Sequence, residues 1–398
     1  MENNRRSFIK SSLMAATVAP AVGAGIISNN NSETRLENKI VYRTLGKTGL
    51  KVPVISMGAG DTTNPKLVEA ALNEGIKLFA TSQYYYNGGN ETMIGGVIKG
   101  RKRDSFLIAT SAMPDGMDHK TGMFVADAKA DEFIKKVEGS LQRLGVDYVD
   151  ILFLPFAAKR ESVFFEPYLK AMENFKKQGK AKFVGIATHS WEHEAIRAAV
   201  DTKVYDIVMT AYNFRKANGT EIKDAVDYAA KAGLGIIAMK TMAGSYWDKE
   251  RTKPINASAA LKWVLQNENI HTIVPGFTTF DQLTLNMELM KDLTLTTDEK
   301  NSLIAYNNQP SDVYCQQCGQ CVPQCPKSLD IPTIMRSYMY AYGYKNLHHA
   351  QQTLNISGAA LCDSCNTCNV KCSMGFDVKA KIADISRLKN VPEEFLVG

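Results

Sequence analysis

With 398 residues the chain has room for two or three domains of roughly 100–200 residues each. Its 45% hydrophobic and 22% charged content is that of globular proteins and excludes a wholly disordered or fibrous chain. The net charge of +6 arises from 47 basic residues spread among 41 acidic ones, not from the one-sided Lys and Arg clustering that marks a nucleic-acid binder. No apolar run in the mature chain reaches the ~18 residues of a membrane-spanning helix.

Residues 1–30 read as an export address with its linker. Asn4-Arg5-Arg6-Ser7-Phe8-Ile9-Lys10 precedes a short, weakly apolar stretch, Ser11 to Ala19, and a small-residue exit, Pro20-Ala21-Val22-Gly23-Ala24-Gly25. The adjacent arginines followed by Phe-Ile-Lys resemble a twin-arginine signal, which implies the Tat translocase as a partner and the periplasm as destination. The alternative is a basic N-terminus leading into a buried Ala-rich helix. Asn29 to Thr34 reads as polar linker.

From residue 38 to about 300 strand and helix alternate eight times. A short pair, Val41-Tyr42-Arg43 and Leu50-Lys51-Val52 around Gly46-Lys47-Thr48-Gly49, predicts a hairpin first. Strands are then expected at 54–57, 77–81, 106–111, 149–154, 183–188, 207–213, 235–240 and 271–275. Helices are expected between them at 66–73, 91–98, 130–144, 168–178, 192–200, 221–232, 257–266 and 280–289. Phe133, Val137, Leu141 and Leu144 show the helical period. The strands are short and rich in Val and Ile, as in a parallel sheet buried on both faces. Eight such units predict an α/β fold, a (β/α)8 TIM barrel with an N-terminal hairpin.

The order of several fragments then resembles the aldo/keto reductase family: Tyr42-Arg43-Thr44-Leu45-Gly46-Lys47-Thr48-Gly49-Leu50, Gly185-Ile186-Ala187-Thr188, Tyr212-Asn213 and Pro275-Gly276-Phe277-Thr278-Thr279. The resemblance implies a barrel with its active site at the C-terminal mouth, where a Tyr protonates the carbonyl oxygen as NADPH delivers hydride. It also implies a Lys that lowers the Tyr pKa, an Asp that holds the Lys, and a His that orients the substrate. Matched to that pattern, Tyr85 keeps the acid's place, while Ala80, Ser111 and Pro155 stand where the Asp, Lys and His belong. Thr188, Met209 and Met239 replace the side chains that usually meet the nicotinamide. Both charges of the missing Asp–Lys pair are gone together, so neither is left buried alone.

Gly276, Thr278, Thr279, Gln282 and Asn286 match the family's phosphate and adenosine contacts and open a helix whose amides suit an anion. They read equally as inherited helix capping with Thr279 as N-cap, and the reading favoured for an exported protein is capping without NADP(H). Around the expected mouth stand Tyr84-Tyr85-Tyr86, His189, Trp191, Lys240 and Tyr246. His189 reads as a hydrogen-bonded loop histidine, and His348-His349 as solvated at a helix end.

All eight cysteines fall between Cys315 and Cys372. Cys315, Cys318, Cys321 and Cys325, followed by Pro326, have the bacterial ferredoxin spacing; Cys362, Cys365, Cys368 and Cys372 repeat it with Ser373 after them. In two-cluster ferredoxins the fourth thiolate serves the other centre, which implies Cys315, Cys318, Cys321 and Cys372 on one 4Fe–4S cluster and Cys362, Cys365, Cys368 and Cys325 on the second. Zinc sites usually offer two separated pairs, not a triplet plus one, and four disulfides would crowd C-x2-C-x2-C. Residues 331–344, rich in Met and Tyr, read as a helix that packs the two halves of a 301–398 ferredoxin-like module on the barrel. The expected protein is an exported oxidoreductase with two 4Fe–4S clusters, served by a redox partner protein, a small-molecule substrate, or both. The alternatives are an electron-transfer or assembly subunit with a non-catalytic barrel, and a residual NADPH-dependent carbonyl reductase.

Overall fold

The computed structural model describes residues 40–244, 246, 255–308, 313–357, 362, 365 and 368–396, so the expected signal of residues 1–30 lies outside the described residues. The hairpin forms from β1 (Tyr42–Thr44) and β2 (Lys51–Pro53), paired antiparallel. The main sheet contains β3 (Met57–Gly58), β4 (Leu78–Ala80) and β5 (Leu107–Ser111). A two-stranded excursion, β6 (Met117–Asp118) and β7 (Met123–Phe124), interrupts it before β8 (Val149–Pro155), β9 (Ala181–Thr188), β10 (Ile207–Ala211), β11 (Gly235–Met239) and β12 (Thr272–Ile273).

All eight strands of the main sheet run parallel in the order β3-β4-β5-β8-β9-β10-β11-β12. The ends meet: Ser56 N donates to Ile273 O at 2.8 Å, Ile273 N to Val54 O at 2.9 Å, and Gly58 N to Pro275 O at 3.0 Å. Eight parallel strands in a nearly closed barrel are the predicted architecture. Every residue of β8, β10 and β11 is buried, as a parallel sheet enclosed by helices requires.

The helices around it are α1 (Pro65–Asn73), α2 (Gly89–Ile98), α3 (Asp131–Leu144), α4 (Arg160–Val163), α5 (Glu166–Lys177), α6 (Glu192–Thr202), α7 (Gly219–Lys231), α8 (Ala257–Leu265) and α9 (Phe280–Leu289), with α10 (Thr297–Asn307) beyond them. α3 shows why they form where they do. Asp131 and Glu132 complement its N-terminal dipole, Phe133, Val137, Leu141 and Leu144 are the buried stripe, and Gly145 ends it at φ 67°.

The chain then returns across the mouth in α11 (Ile331–Tyr342), α12 (Leu347–Ile356) and α13 (Val378–Ser386). Eleven of the twelve α11 residues are buried, the pattern of a helix enclosed on all sides. Ile334, Met335, Tyr338 and Met339 are at most 3% exposed, and each such side chain contributes about 1.5–3 kcal/mol by leaving water. Asn38–Gly398 form one compact unit, with Ala243 and Phe214 of the barrel loops packed into the apolar cluster of the C-terminal segment.

A buried ion pair fastens that segment. Glu192 in the first turn of α6 and Lys216 before α7 each expose only 2% of their side chains and are bonded to one another. Lys216 Nζ also donates to Gln316 O at 2.9 Å, and Ala217 N to Gln316 Oε1 at 3.0 Å, beside the first cysteine. Burial alone would lower the Lys216 pKa, but Glu192 outweighs it and holds the ammonium above its usual value. Glu192→Gln leaves that cation uncompensated and is expected to cost about 3–5 kcal/mol. Glu192→Leu with Lys216→Met is expected to restore most of it. Urea unfolding followed by circular dichroism checks both; equal midpoints for all forms would refute a structural role.

Candidate active site and cysteine centre

The barrel mouth holds a cavity of about 140 Å³ lined from both parts of the chain. Strand ends and the loops after them supply Asp61, Ala80, Tyr84, Tyr85, Ser111, Pro155, Phe156, His189 and Lys240; α11, α12 and the turn between them supply Arg336, Tyr340, Tyr344, His349 and Thr353. Tyr85, Ala80, Ser111 and Pro155 thus converge on one space, as the family pattern implies. Ser111 Oγ lies 2.9 Å from Ser82 Oγ, and Tyr85 lies against the backbone of Gly60, where any Cβ would come within 2.6 Å of its ring.

Two side chains expected in solvent are buried here, and one of them, His349, is part of this wall. The solvated His348-His349 pair is overturned: each is only 6% exposed, because α12 lies over the loops that follow β3 and β4. His348 stacks on Tyr86 with ring centroids 4.9 Å apart, while His349 stacks on Tyr340 at 3.8 Å and meets Tyr85 edge-on at 5.3 Å. His349 Nδ1 is 3.5 Å from Asp61 Oδ1, which also accepts from Asn346 Nδ2 at 3.1 Å. Sequence spacing had no means of finding Asp61, Tyr340 and His349 together; they come from segments nearly 290 residues apart.

A lysine is also present, but from a different strand end than the family pattern implies. Lys240 follows β11 in a left-handed conformation (φ 56°), and its carbonyl is held by Asn213 Nδ2 at 2.9 Å. Its ammonium donates to Tyr340 Oη at 3.1 Å and lies 5.1 Å from the centroid of Tyr344. Burial would strip its proton, but the phenols of Tyr340, Tyr344 and Tyr85 with Asp61 outweigh this and keep it charged. Burial, then Tyr340 and Asp61, push the Tyr85 phenol above its ordinary value despite Lys240, and burial pushes Tyr344 up to about 12. Burial also opposes ionisation of Asp61, yet the bond to His349 and the charge of Lys240 hold it below the usual carboxylate range. Burial, countered by Asp61, leaves His349 below the free imidazole value.

The loop residues matched to a phosphate cradle are engaged within the protein. Thr279 Oγ1 accepts from Gln282 N at 3.3 Å, and Gln282 Oε1 from Thr278 N at 2.8 Å. Asn286 is fully buried and donates to Tyr246 Oη at 3.1 Å and to Gln282 O at 2.7 Å. A Cβ on Gly276 would lie 3.1 Å from Asp61 Oδ2, so a carboxylate faces that loop.

No disulfide joins any of the eight cysteines. Cys315, Cys318, Cys321 and Cys372 line one small pocket with Ile331, Pro332 and Met335 of α11. Burial, then neighbouring thiols, pushes Cys315 and Cys321 up to about 12, so thiolates gathered here call for cationic partners. Cys362 is raised by burial and then by Cys325, Cys368 and Cys365, the second set implied by the ferredoxin spacing. Among the described residues no three Cys, His, Asp or Glu side chains form a set that could hold one metal ion.

A model of the aldo/keto reductase family matches residues 59–258, and one of a 4Fe-4S dicluster domain matches residues 314–377. L-galactose dehydrogenase of Arabidopsis thaliana is 26% identical over 295 residues, 64% of this chain and 89% of that protein. D-threo-aldose 1-dehydrogenase of a Pseudomonas species is 24% identical over 298 residues, 60% of this chain and 90% of its own. Among solved structures, the holo form of an aldo-keto reductase from Bacillus halodurans superposes with a TM-score of 0.52 at 19% identity, covering 67% of this chain and 96% of the other.

His119 and His189 flank Phe156, with ring centroids 4.8 and 5.4 Å from it. Burial and then Arg336 bring His119 down to about 3; burial, then Lys240 and Arg336, brings His189 well below 6.5. Below pH 6.5 the unfolded chain therefore binds protons that the folded chain refuses, and stability falls with falling pH. Between pH 7.5 and 5.5 the two histidines together are expected to remove about 2–3 kcal/mol. Thermal unfolding across that range checks this: His119→Gln and His189→Gln should each flatten the profile, and unchanged slopes would refute it.

Proposed function

The chain belongs to the aldo/keto reductase family, and we propose that it is an exported iron–sulfur oxidoreductase in which electrons pass between two 4Fe–4S clusters and a substrate in the barrel mouth. The observation that carries this reading is the double duty of α11. Met335 lines the pocket of the first cysteine set, while Arg336 beside it and Tyr340 one turn on line the mouth cavity. Met335 to Tyr340 is about 8 Å of helix at 1.5 Å per residue. Cys315, Cys318, Cys321 and Cys372 would hold one cluster and Cys362, Cys365, Cys368 and Cys325 the other. Such clusters exchange single electrons, so two of them match the two-electron, two-proton interconversion of a carbonyl and its carbinol.

The family's proton machinery is dismantled at its usual positions and rebuilt from others. Tyr340 takes the place of proton donor to the substrate oxygen, because its oxygen receives a hydrogen bond from the Lys240 ammonium on the cavity wall. His349, oriented through Nδ1 by Asp61, handles the second proton. Tyr85 remains a hydrogen-bond donor on the opposite wall. Aldehyde or hemiacetal carbon is the reacting centre suggested by the relatives named for L-galactose and D-threo-aldose.

In this reading NADP(H) is not the electron carrier. The loop amide and side chains that would meet its phosphates are engaged by Gln282 and Tyr246, and Asp61 opposes an anion beside Gly276. Electrons then come from, or leave to, a one-electron carrier protein. Export by the twin-arginine route to the periplasm accords with this, because a protein that acquires clusters in the cytoplasm must cross the membrane folded.

Anaerobically purified protein is expected to carry about eight iron and eight sulfide per chain, with electron paramagnetic resonance of two interacting centres after reduction. Reduced protein should be reoxidised by a carbonyl substrate, and Tyr340→Phe should slow this roughly 10²–10⁴-fold at unchanged iron content. Stoichiometric zinc, or reoxidation by partner proteins alone, would overturn the proposal.

A further inference from the structure

We infer that the mouth cavity binds a small substrate bearing one carboxylate, which Arg336 and Lys240 receive. The inference rests on the reading above that the mouth is the substrate site, and it adds the charge that the substrate must carry.

Arg336 is only 6% exposed and lines the cavity from α11. Its Nη2 donates to Thr333 Oγ1 at 3.3 Å, and its guanidinium lies 5.0 Å from the centroid of Phe156. Among the described residues it has no carboxylate partner. A guanidinium cannot shed its proton, so burial leaves a permanent cation with most of its five donors still to be met. Phe156, at φ 64°, lies against it. Lys240 is the second fixed cation on the same cavity, bonded to a phenol and not to a carboxylate.

Against these two cations the cavity offers one carboxylate, Asp61, whose Oδ1 is already claimed by Asn346 and faces His349. His119 and His189 add no negative charge. One positive charge is thus unanswered. A monoanion answers it, whereas a phosphate monoester, carrying nearly two charges, overshoots it. The planar fork of Arg336 matches a carboxylate bidentately and orients the ligand as well as attracting it. Arg336 also lines the small space shared with Gln317 and Gly319 of the first cysteine loop, so the bound carboxylate stands on the side of the cavity nearest the thiols.

The test is isothermal titration of the anaerobic, cluster-loaded full chain with an acid and its amide of equal size: 2-oxobutanoate against 2-oxobutanamide, and benzoate against benzamide. At least one acid is expected to bind about ten-fold or more tightly than its amide. Arg336→Gln should bring the pair within about three-fold, with Arg336→Lys between, at unchanged cluster absorbance. Equal binding of acid and amide, no binding of either pair, or inorganic phosphate competing as well as the carboxylate would overturn the inference. The wild-type comparison decides alone if a variant fails to fold. Acid-selective binding without reoxidation of reduced clusters by any acid would leave this site standing and fail the electron-transfer reading.

Discussion

The structure depends on one constraint: α11 must be apolar enough to be enclosed and must still present chemistry on two sides. Its Ile, Met and Tyr residues bury against the barrel loops and against α12 and α13. That enclosure brings the first cysteine pocket and the barrel mouth to neighbouring turns of one rigid element. A mobile tail carrying the same thiols would place them at no fixed distance from the mouth. The buried Glu192–Lys216 pair and the Asn213 bond to Tyr314 Oη at 2.7 Å serve the same end, since both join strand-end loops to the start of the cysteine segment.

Enclosure also explains the strained backbone at the mouth. Phe156, Trp191 and Lys240 follow three different strands, and all have positive φ. Such conformations cost of order 1–3 kcal/mol each and persist only where the surroundings over-determine them. Here each aims a side chain at the returning segment: Lys240 at Tyr340, Phe156 at Arg336, and Trp191 at the Gly319 turn. An ordinary barrel has no such partner above its mouth and no reason to hold these residues so.

The sequence made the barrel legible because each strand–helix unit is local: Val and Ile runs, periodic apolar positions and a Gly after α3 all act within about 30 residues. The cysteine grouping was legible for the same reason, ligand spacing being a property of a short segment. The rest of the mouth was not. Lys240 was expected at the mouth, but Asp61 lies far along the chain from Tyr340 and His349, and each of these alone looks like a turn acid or a helix residue. His348-His349 was expected in water because α12 taken by itself has no reason to be covered. Its burial comes from Tyr84 bonding Thr353 at 3.0 Å and Tyr86 bonding Asn346 at 2.9 Å, contacts that no window of sequence contains.

The same non-local packing decides the charges around the mouth. The loop after β3 brings Asp61, β11 brings Lys240, and the returning helices bring Tyr340 and His349 to one cavity with Tyr85, Ala80, Ser111 and Pro155. Asp61 is drawn to His349 and Asn346, and Lys240 to Tyr340. With Arg336 added from α11, the wall becomes cationic overall. Phenols and an imidazole meet these charges directly: Tyr340 accepts from Lys240, and His349 faces Asp61 while stacking on Tyr340.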